Sequence, residues 1–304
     1  MTVGLQRQEG QESREGRQGQ EASYSSRVRI DVAALSHKGH VRSDNEDHFL
    51  VTRLGRTFET MITSLPERDV PGLSEEVNYV MLVADGMGGH LAGEVASRMA
   101  LSAIVNIALD IPDWILKLDE EHRRVMEERT RARVREVGAM LVEEGQKDPA
   151  LSGMGTTLTA ARSLGRDLQI THVGDSRAYL LRAGRLHRLT KDHTYAQLLV
   201  DIGRLPSTDH ADPRHRHILT NALGGADREA KVDIDLLKLE DGDRVLLCSD
   251  GLTDMVDDAT IAGMLANAPA SQQACETLVQ CALDNGGRDN VTVIVARYEL
   301  PHQT

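Results

Sequence analysis

The chain has 304 residues and a formal net charge of −12, and 40% of its residues are hydrophobic although only 3% are aromatic. This length allows one large domain or two small ones, with a core that Leu, Val, Ile, Ala and Met must fill. The negative charge argues against nucleic acid or an anionic membrane as the main partner. It does not exclude a phosphorylated substrate, because a divalent cation would reverse the sign locally.

Three features of the sequence predict a cytoplasmic protein that is not inserted in a membrane. The longest strictly apolar run is Tyr79–Ala84, whereas a membrane span needs about 20 residues. The N-terminal residues lack the apolar stretch of a signal peptide. The three cysteines, Cys248, Cys275 and Cys281, are too few for a disulfide framework, so we expect them to be reduced thiols.

The first 27 residues are mostly Gln, Glu, Gly, Arg and Ser. Such a segment buries too little surface to offset its ordering entropy, so we expect residues 1–27 to form a disordered tail. One domain is expected over residues 28–299, because no repeat and no Pro/Gly/Ser-rich linker interrupts it. The first part of this domain is predicted to form strands at Val28–Val32, His48–Arg53 and Asn78–Ala84, with a loop over 55–77.

Helical and extended patterns alternate through the rest of the domain. Strands in two blocks, with helices between and after them, predict an α+β domain of stacked layers. The predicted helices are Glu94–Leu109, Asp119–Glu144, Ala259–Ala266 and Gln272–Leu283. The predicted strands are Thr156–Arg162, Asp167–Val173, Arg177–Leu181, Asp243–Cys248 and Val291–Tyr298, and residues 192–225 are irregular.

Acidic residues stand at the ends of the predicted apolar strands. Asp85, Asp175 and Asp250 each follow a strand, whereas Asp47 and Asp289 each precede one. Carboxylates packed together raise one another's pKa unless cations separate them, and Mg²⁺ and Mn²⁺ prefer such oxygen ligands. A single Asp-Gly is commonly just a turn. The spacing by itself therefore leaves both a metal site and ordinary turns open.

These and further motifs resemble the metal-dependent serine/threonine protein phosphatases of the protein phosphatase 2C (PPM) family, in its bacterial form. The resemblance covers about residues 30–298 and fits in both order and spacing. It implies a four-layer αββα sandwich, in which two central, mostly antiparallel sheets are flanked by helix pairs. The matching segments are Gly39–Asp47, Val83–His90, Gly155–Thr157, His172–Tyr179, Leu189–His193, Leu219–Gly224, Leu247–Leu252 and Asp289–Val293.

The resemblance also implies a centre of two Mn²⁺ or Mg²⁺ ions, with a third, looser ion as in bacterial relatives. The catalytic residues would be Arg42, Asp85 and Asp250. Arg42 would bind the substrate phosphate, because its planar fork matches phosphate oxygens. Among the metal-binding residues, Asp85 would bridge both ions, the Gly86 carbonyl would bind one, Asp250 and Asp289 would bind the other, Asp47 would act nearby through water, and Asp175 would hold the third ion.

The activity implied by the resemblance is hydrolysis of phosphoserine and phosphothreonine on proteins by a metal-activated water. Such an enzyme would act in signal transduction as a cytoplasmic monomer and would oppose a bacterial Ser/Thr kinase. Eukaryotic members carry a His after the Asp-Gly as a proposed general acid, but this chain has Met87 there, as bacterial members do. His90 or a water on the metal ions could protonate the leaving group, and we favour water.

Two other functions stay open at this point. The chain could be a catalytically inactive relative that binds phosphoproteins, although such relatives lose metal-binding acids and this chain keeps Asp85, Asp175, Asp250 and Asp289. It could also hydrolyse small phosphate esters, which the sequence does not distinguish from phosphoproteins.

A long irregular segment, about residues 194–217, corresponds to the flap that lies beside the metal centre in the family. It carries none of the proposed metal-binding acids, so we expect no direct part in the chemistry. Its arginines, Arg204, Arg214 and Arg216, could instead contact residues around a phosphosite. The histidines at its end, His215 and His217, could ligate a metal or lie in an exposed loop, and we favour the loop.

Overall fold

The computed structural model describes residues 27–66, 69–88, 90–110, 120–225 and 229–301. The predicted tail is not tested, because residues 1–26 lie outside the described residues. In the described part, the strands are β1 (Arg29–His37), β2 (Asp47–Glu59), β3 (Leu73–Met87), β4 (Gly155–Thr156), β5 (Leu158–Leu164), β6 (Asp167–Val173), β7 (Arg177–Arg182), β8 (Arg185–Arg188), β9 (Leu223–Gly224), β10 (Asp233–Lys238), β11 (Arg244–Cys248) and β12 (Val291–Glu299).

The helices fall in three groups along the chain. Two long helices follow β3, short helices occupy the irregular segment before β9, and the remaining helices lie between β11 and β12. In the ranges that the structure describes, no helix has both the length and the apolar character that crossing a bilayer requires. The α-helices are α1 (His90–Asp110), α2 (Glu120–Lys147), α3 (Tyr195–Asp201), α4 (Pro213–Arg216), α5 (Asp250–Thr253), α6 (Asp258–Asn267) and α7 (Ser271–Asp284), and Pro149–Leu151 and Thr208–His210 are 3₁₀ turns.

The strands form two sheets whose pairs are antiparallel. One sheet has the order β1-β12-β11-β7-β8, and the other has the order β10-β6-β5-β3-β4-β9, with β2 also paired to β3. Side chains of both sheets meet in a common core that includes Met81, Leu247 and Tyr298. Helices α1 and α2 cover the outer face of the larger sheet, and α6 and α7 cover the other. This arrangement confirms the predicted four-layer sandwich.

The hairpin of β2 and β3 is much longer than the sequence predicts. We expected a loop over 55–77, but Gly55–Glu59 pairs with Leu73–Val77, so this prediction is wrong at both ends of the loop. Polar and charged residues suit this part of the hairpin because it is largely exposed, and Arg56 lies opposite Glu76. Strands β8 and β10 are also missing from the prediction, and short helices interrupt the segment predicted to be irregular.

The sheet register brings acidic strand ends together. Asp47 at the start of β2 lies directly opposite Asp85 near the end of β3. In the other sheet, β11 and β12 are antiparallel neighbours, and Cys248 at the end of β11 pairs with Val293 near the start of β12. Asp250 and Asp289, which lie just beyond those ends, therefore emerge at the same edge.

Loss of a core side chain between the sheets should destabilise the whole domain. Leu247 is fully buried there, so Leu247→Ala should lower the free energy of unfolding by about 2–5 kcal/mol. The matched variant Leu198→Ala, whose side chain is 42% exposed on α3, should change it by less than about 0.5 kcal/mol. Urea unfolding followed by circular dichroism measures both, and equal effects would contradict the assigned core.

Candidate metal centre

The backbone around Asp85 is held by the neighbouring strand. The Asp85 N–H donates to Thr157 Oγ1 at 3.0 Å, and the Asp85 carbonyl accepts from the Thr157 N–H at 2.9 Å and from Thr156 Oγ1 at 2.9 Å. Three hydrogen bonds on one residue leave its backbone little freedom. The Asp85 carboxylate therefore starts from a fixed point at the edge of the sheet.

Glycine is required directly after Asp85 because α1 approaches the strand closely. A Cβ on Gly86 would lie 2.0 Å from the Gly93 carbonyl oxygen, and a Cβ on Gly93 would lie 2.4 Å from a Glu46 carboxylate oxygen. The Gly86 N–H donates to the Glu46 carbonyl at 3.2 Å. The first turn of α1, the end of β3 and the residue before β2 are thus packed backbone against backbone.

Asn290 and Ser249 connect the two sheets at this edge. Asn290 Oδ1 accepts from the Glu46 N–H at 2.8 Å, and the Asn290 amide donates to the carbonyls of Lys38 and Asp44, each at 2.9 Å. Ser249 Oγ accepts the Thr292 N–H at 3.0 Å and donates to Asp47 Oδ2 at 2.7 Å. Acids from both sheets are therefore fixed relative to one another.

The carboxylates of this edge interact strongly. Burial is the main reason that the pKa of Asp47 is raised to about 7, and the charges of Asp250 and Asp289 add to this shift while hydrogen bonds oppose it. Burial also raises the pKa of Asp85 well above its ordinary value, and Asp47, Asp250, Asp175 and Asp289 each add to that shift. The structure thus brings together all five acids that the sequence analysis selected.

The donor set fits hard divalent cations. Asp47 is 4% exposed, and its Oδ1 is buried without a hydrogen-bond partner in the described part of the chain. Burial, followed by Asp250, likewise raises the pKa of Asp175 well above its ordinary value. Buried carboxylates that disfavour their own ionisation are stabilised by Mg²⁺ or Mn²⁺, which prefer oxygen ligands.

Arg42 lies at the exposed side of this cluster. Its Nη2 donates to Asp289 Oδ2 at 2.7 Å, and this hydrogen bond raises the pKa of the guanidinium. The Arg42 side chain is 54% exposed, so its remaining donors can reach a ligand from solvent. Of the two candidate general acids, the His90 side chain lies outside the described residues.

Two features of the site were not predicted from the sequence: the residue Asp254, and the position of His217 beside the acids. His217 Nδ1 lies 3.5 Å from Asp254 Oδ2 and 3.8 Å from Asp250 Oδ2, and within the described ranges these three residues form a group that could hold a metal ion. The nearby Asp250 carboxylate raises the pKa of His217 to about 9, and burial together with the charge of Asp250 raises the pKa of Asp254 to about 6. His217 is exposed just after α4, as the favoured interpretation predicts, but its ring also faces acids of the site.

Two arginines of the irregular segment at about residues 194–217 contact the segment itself. Arg214 donates to the Asp212 carboxylate at 2.8 Å, and Arg216 donates to the Asp209 carbonyl at 2.8 Å, so two of its three arginines make contacts inside the segment.

Asp254 had one usable signal in the sequence. It stands four residues after Asp250, one helical turn further on. The contact of His217 had no such local signal.

Comparison with known proteins gives consistent matches. A family model described as "Protein phosphatase 2C" matches residues 62–292. The serine/threonine protein phosphatase PstP of Mycobacterium tuberculosis is 42% identical over 220 residues, which are 71% of this chain and 40% of that protein. The present chain thus spans about 40% of the length of that relative. The serine/threonine phosphatase stp of Listeria monocytogenes is 32% identical over 265 residues, covering 86% of this chain and 94% of that protein.

Solved structures agree with these relatives. The crystal structure of the M. tuberculosis phosphatase PstP/Ppp is 36% identical, covers 90% of this chain and 99% of that one, and superposes with a TM-score of 0.69. A second structure, of the PstP catalytic domain in complex with two manganese ions, is also 36% identical, covers 90% of this chain and 99% of that one, and has a TM-score of 0.66.

The raised pKa of Asp47 predicts how the metal-free chain responds to pH. Its pKa is about 7 in the fold against an ordinary value of 3.8, so the folded state binds more protons between these values. The free energy of unfolding should therefore fall as pH rises from 5 to 8. In chelator-treated protein, urea unfolding should show a fall at least about 1 kcal/mol larger for the native sequence than for Asp47→Asn. If the free energy of unfolding had the same pH dependence in the native sequence and in Asp47→Asn, the mutual repulsion of these carboxylates would be contradicted.

Proposed function

The chain belongs to the protein phosphatase 2C family, and from that premise we propose that it hydrolyses phosphoserine and phosphothreonine on proteins with Mn²⁺ or Mg²⁺ as cofactor. The observation that carries the proposal is the convergence of five carboxylates from both sheets on one edge, where burial and the other four acids raise the pKa of Asp85. Cations relieve exactly this kind of repulsion, and the relative solved with two manganese ions supports the choice of metal.

We assign metal-binding roles to the residues along the acidic edge of the sandwich. Asp85 and the Gly86 carbonyl would hold one ion, Asp85 would also reach the second, and Asp250 and Asp289 would complete the second. Asp175 would hold a third ion, for which His217 and Asp254 are further candidates because they surround Asp250. A pair of such ions supplies the acidity that makes water a nucleophile at neutral pH.

The chain's own residues would prepare the site for that chemistry. Ser249 fixes one oxygen of Asp47 and leaves Oδ1 to accept a proton or a hydrogen bond from water. Arg42 would exchange its contact with Asp289 for the substrate phosphate, where its fork can form two parallel hydrogen bonds. The side chain of Met87 cannot donate a proton. Of the two candidates, His90 and a water, we propose the water as the proton donor to the leaving group.

The substrates, partners and location of the protein also belong to this proposal. Phosphoproteins must be supplied by a protein kinase, so we propose a cognate bacterial Ser/Thr kinase and a role in signal transduction. The flap, with Arg204 and its neighbours, would contact the protein around the phosphosite. Buried thiols at Cys248 and Cys275 suit a reducing cytoplasm. We also propose that the protein is a monomer.

Removal of the metal or of a ligand charge should stop catalysis without unfolding the domain. Hydrolysis of an aryl phosphate should require added Mn²⁺ or Mg²⁺ and should cease with chelator. Asp85→Asn or Asp250→Asn should lower kcat at least about 100-fold, while the free energy of unfolding of the metal-free chain is unchanged or higher. The exposed acid of β10 gives the control Asp235→Asn, which should keep full activity. Full turnover in metal-free buffer would contradict the proposal.

A comparison of substrates separates the proposed function from its rivals. Phosphoserine and phosphothreonine peptides should be hydrolysed with higher kcat/KM than small phosphorylated metabolites at equal Mn²⁺. A preference for metabolites would identify a phosphatase of small esters. Tight binding of phosphopeptides without turnover would identify an inactive binding module.

Arg42→Ala should lower kcat/KM for the substrate without raising the Mn²⁺ concentration that turnover requires. A charged hydrogen bond contributes about 1.5–3 kcal/mol, so kcat/KM should fall roughly ten- to a hundredfold. The Mn²⁺ concentration for half-maximal turnover should stay the same or fall, because Asp289 loses a competing partner. Arg185→Ala, which removes an exposed arginine on β8, is the matched control. Unchanged kcat/KM in Arg42→Ala would remove this residue from the site.

A further inference from the structure

His193 holds both backbone polar groups of the glycine that precedes Asp175. The Gly174 N–H donates to His193 Nδ1 at 3.1 Å, and the Gly174 carbonyl accepts the His193 N–H at 2.7 Å. Gly174 has a φ of 109°, and a Cβ there would lie 2.6 Å from Thr157 Cβ. The turn therefore packs directly against Thr157, whose Oγ1 accepts the Asp85 N–H. The direction in which Asp175 leaves this turn depends on the two hydrogen bonds to His193.

The hydrogen bonds around the His193 imidazole define which of its nitrogens carries the proton. A second donor, the Asn221 side-chain amide, has its nitrogen 2.8 Å from Nδ1. The orientation of that amide is fixed independently, because its oxygen accepts the Lys231 N–H at 3.0 Å and its nitrogen donates to the Lys231 carbonyl at 2.7 Å. With two N–H donors directed at Nδ1, the proton must be on Nε2, which donates to Asp233 Oδ2 at 2.9 Å. The imidazole is thus neutral, and Asp233 selects its tautomer.

His193 also joins the two ends of the flap. It directly precedes the flap, and Asn221, which donates to its ring, lies shortly after the flap. The Thr220 N–H donates to the His193 carbonyl at 2.8 Å, and Thr194 forms an antiparallel bridge with Leu219. The His193 side chain is only 10% exposed, so water does not readily replace its hydrogen bonds. One side chain therefore connects the turn before an acid of the site to both the entry and the exit of the flap.

From this geometry we propose that His193 is a positioning residue of the metal centre. Its neutral imidazole fixes the Gly174 turn, and through that turn it directs the Asp175 carboxylate toward the third ion while it holds the flap beside the site. His193 itself would contact neither an ion nor the substrate. The proposal rests on the proposed function for the ligand role of Asp175, whereas the hydrogen bonds that fix the turn can be tested without it.

Nuclear magnetic resonance of the metal-free, full-length chain tests the hydrogen bonds directly. Long-range correlations between the ring protons and nitrogens should show a neutral His193 with its proton on Nε2. The Gly174 amide should be protected from hydrogen exchange, and His193→Gln should raise its exchange rate at least about tenfold, because the Nδ1 acceptor is gone. A proton on Nδ1, or an unprotected Gly174 amide in the native sequence, would overturn the proposal.

Two amide substitutions separate the roles of the two ring nitrogens. His193→Asn places an amide oxygen close to the Nδ1 position, so it can still accept the Gly174 N–H. His193→Gln places its amide close to the Nε2 position, so it can still reach Asp233 but leaves the Gly174 N–H without this acceptor. In calorimetric titration with Mn²⁺, the third ion should bind at least about tenfold more weakly to His193→Gln than to the native chain, and within about threefold of the native affinity to His193→Asn. The two tightly bound ions should be unchanged in both variants.

Tyr298→Phe is the matched control, because it removes one buried hydrogen bond, to Ser163 Oγ, in the core between the sheets. It should lower the Tm and bind Mn²⁺ as the native chain does. An unchanged third ion in His193→Gln would overturn the proposal. Equal weakening in His193→Asn and His193→Gln would also overturn it, because His193 would then contribute only to stability.

Failure of the proposed function gives a different result. A native chain that binds two ions and no third would contradict the ligand role proposed for Asp175. The effect of His193→Gln on the exchange rate of the Gly174 amide would still decide whether His193 fixes the turn.

Discussion

Repulsion between buried carboxylates governs one edge of this protein. Asp47 and Asp85 face each other on paired strands, and the acids of the second sheet raise the pKa of both. A cluster of this kind opposes its own ionisation, so it costs stability unless protons or cations compensate. Under the proposed function, divalent ions bound at this edge would each offset several of these unfavourable contacts at once.

The rest of the fold keeps this cluster together against that repulsion. Asn290 joins three backbone segments, Ser249 links Asp47 to β12, and close backbone contacts at Gly86 and Gly251 leave no room for a side chain. A Cβ on Gly251, for example, would lie 2.0 Å from the Asn290 carbonyl oxygen. The core between the sheets supplies the stability that the acidic edge lowers. Function and stability therefore depend on different parts of the same strands.

The sequence predicted those parts of the protein that local patterns encode. Apolar runs with an acid at one end located the strands and the five aspartates, whereas Asp254 and the contact of His217 with Asp250 went unrecognised. The His217 contact depends on how a long connection folds back, and no spacing along the chain records that. The arms of the β2 and β3 hairpin were missed because most of their residues are polar or charged and do not alternate with apolar ones. Pairing between the arms stabilises strands that composition alone assigns to a loop.

The central claim is that divalent cations replace protons within the acidic cluster. Calorimetric titration of Mn²⁺ into the metal-free chain at pH 6, in two buffers of different ionisation enthalpy, counts ions and released protons together. Because the pKa of Asp47 is about 7 in the fold, the account predicts two tightly bound ions and net proton release, with less release from Asp47→Asn. Binding of Mn²⁺ without proton release at pH 6, or no binding, would contradict it.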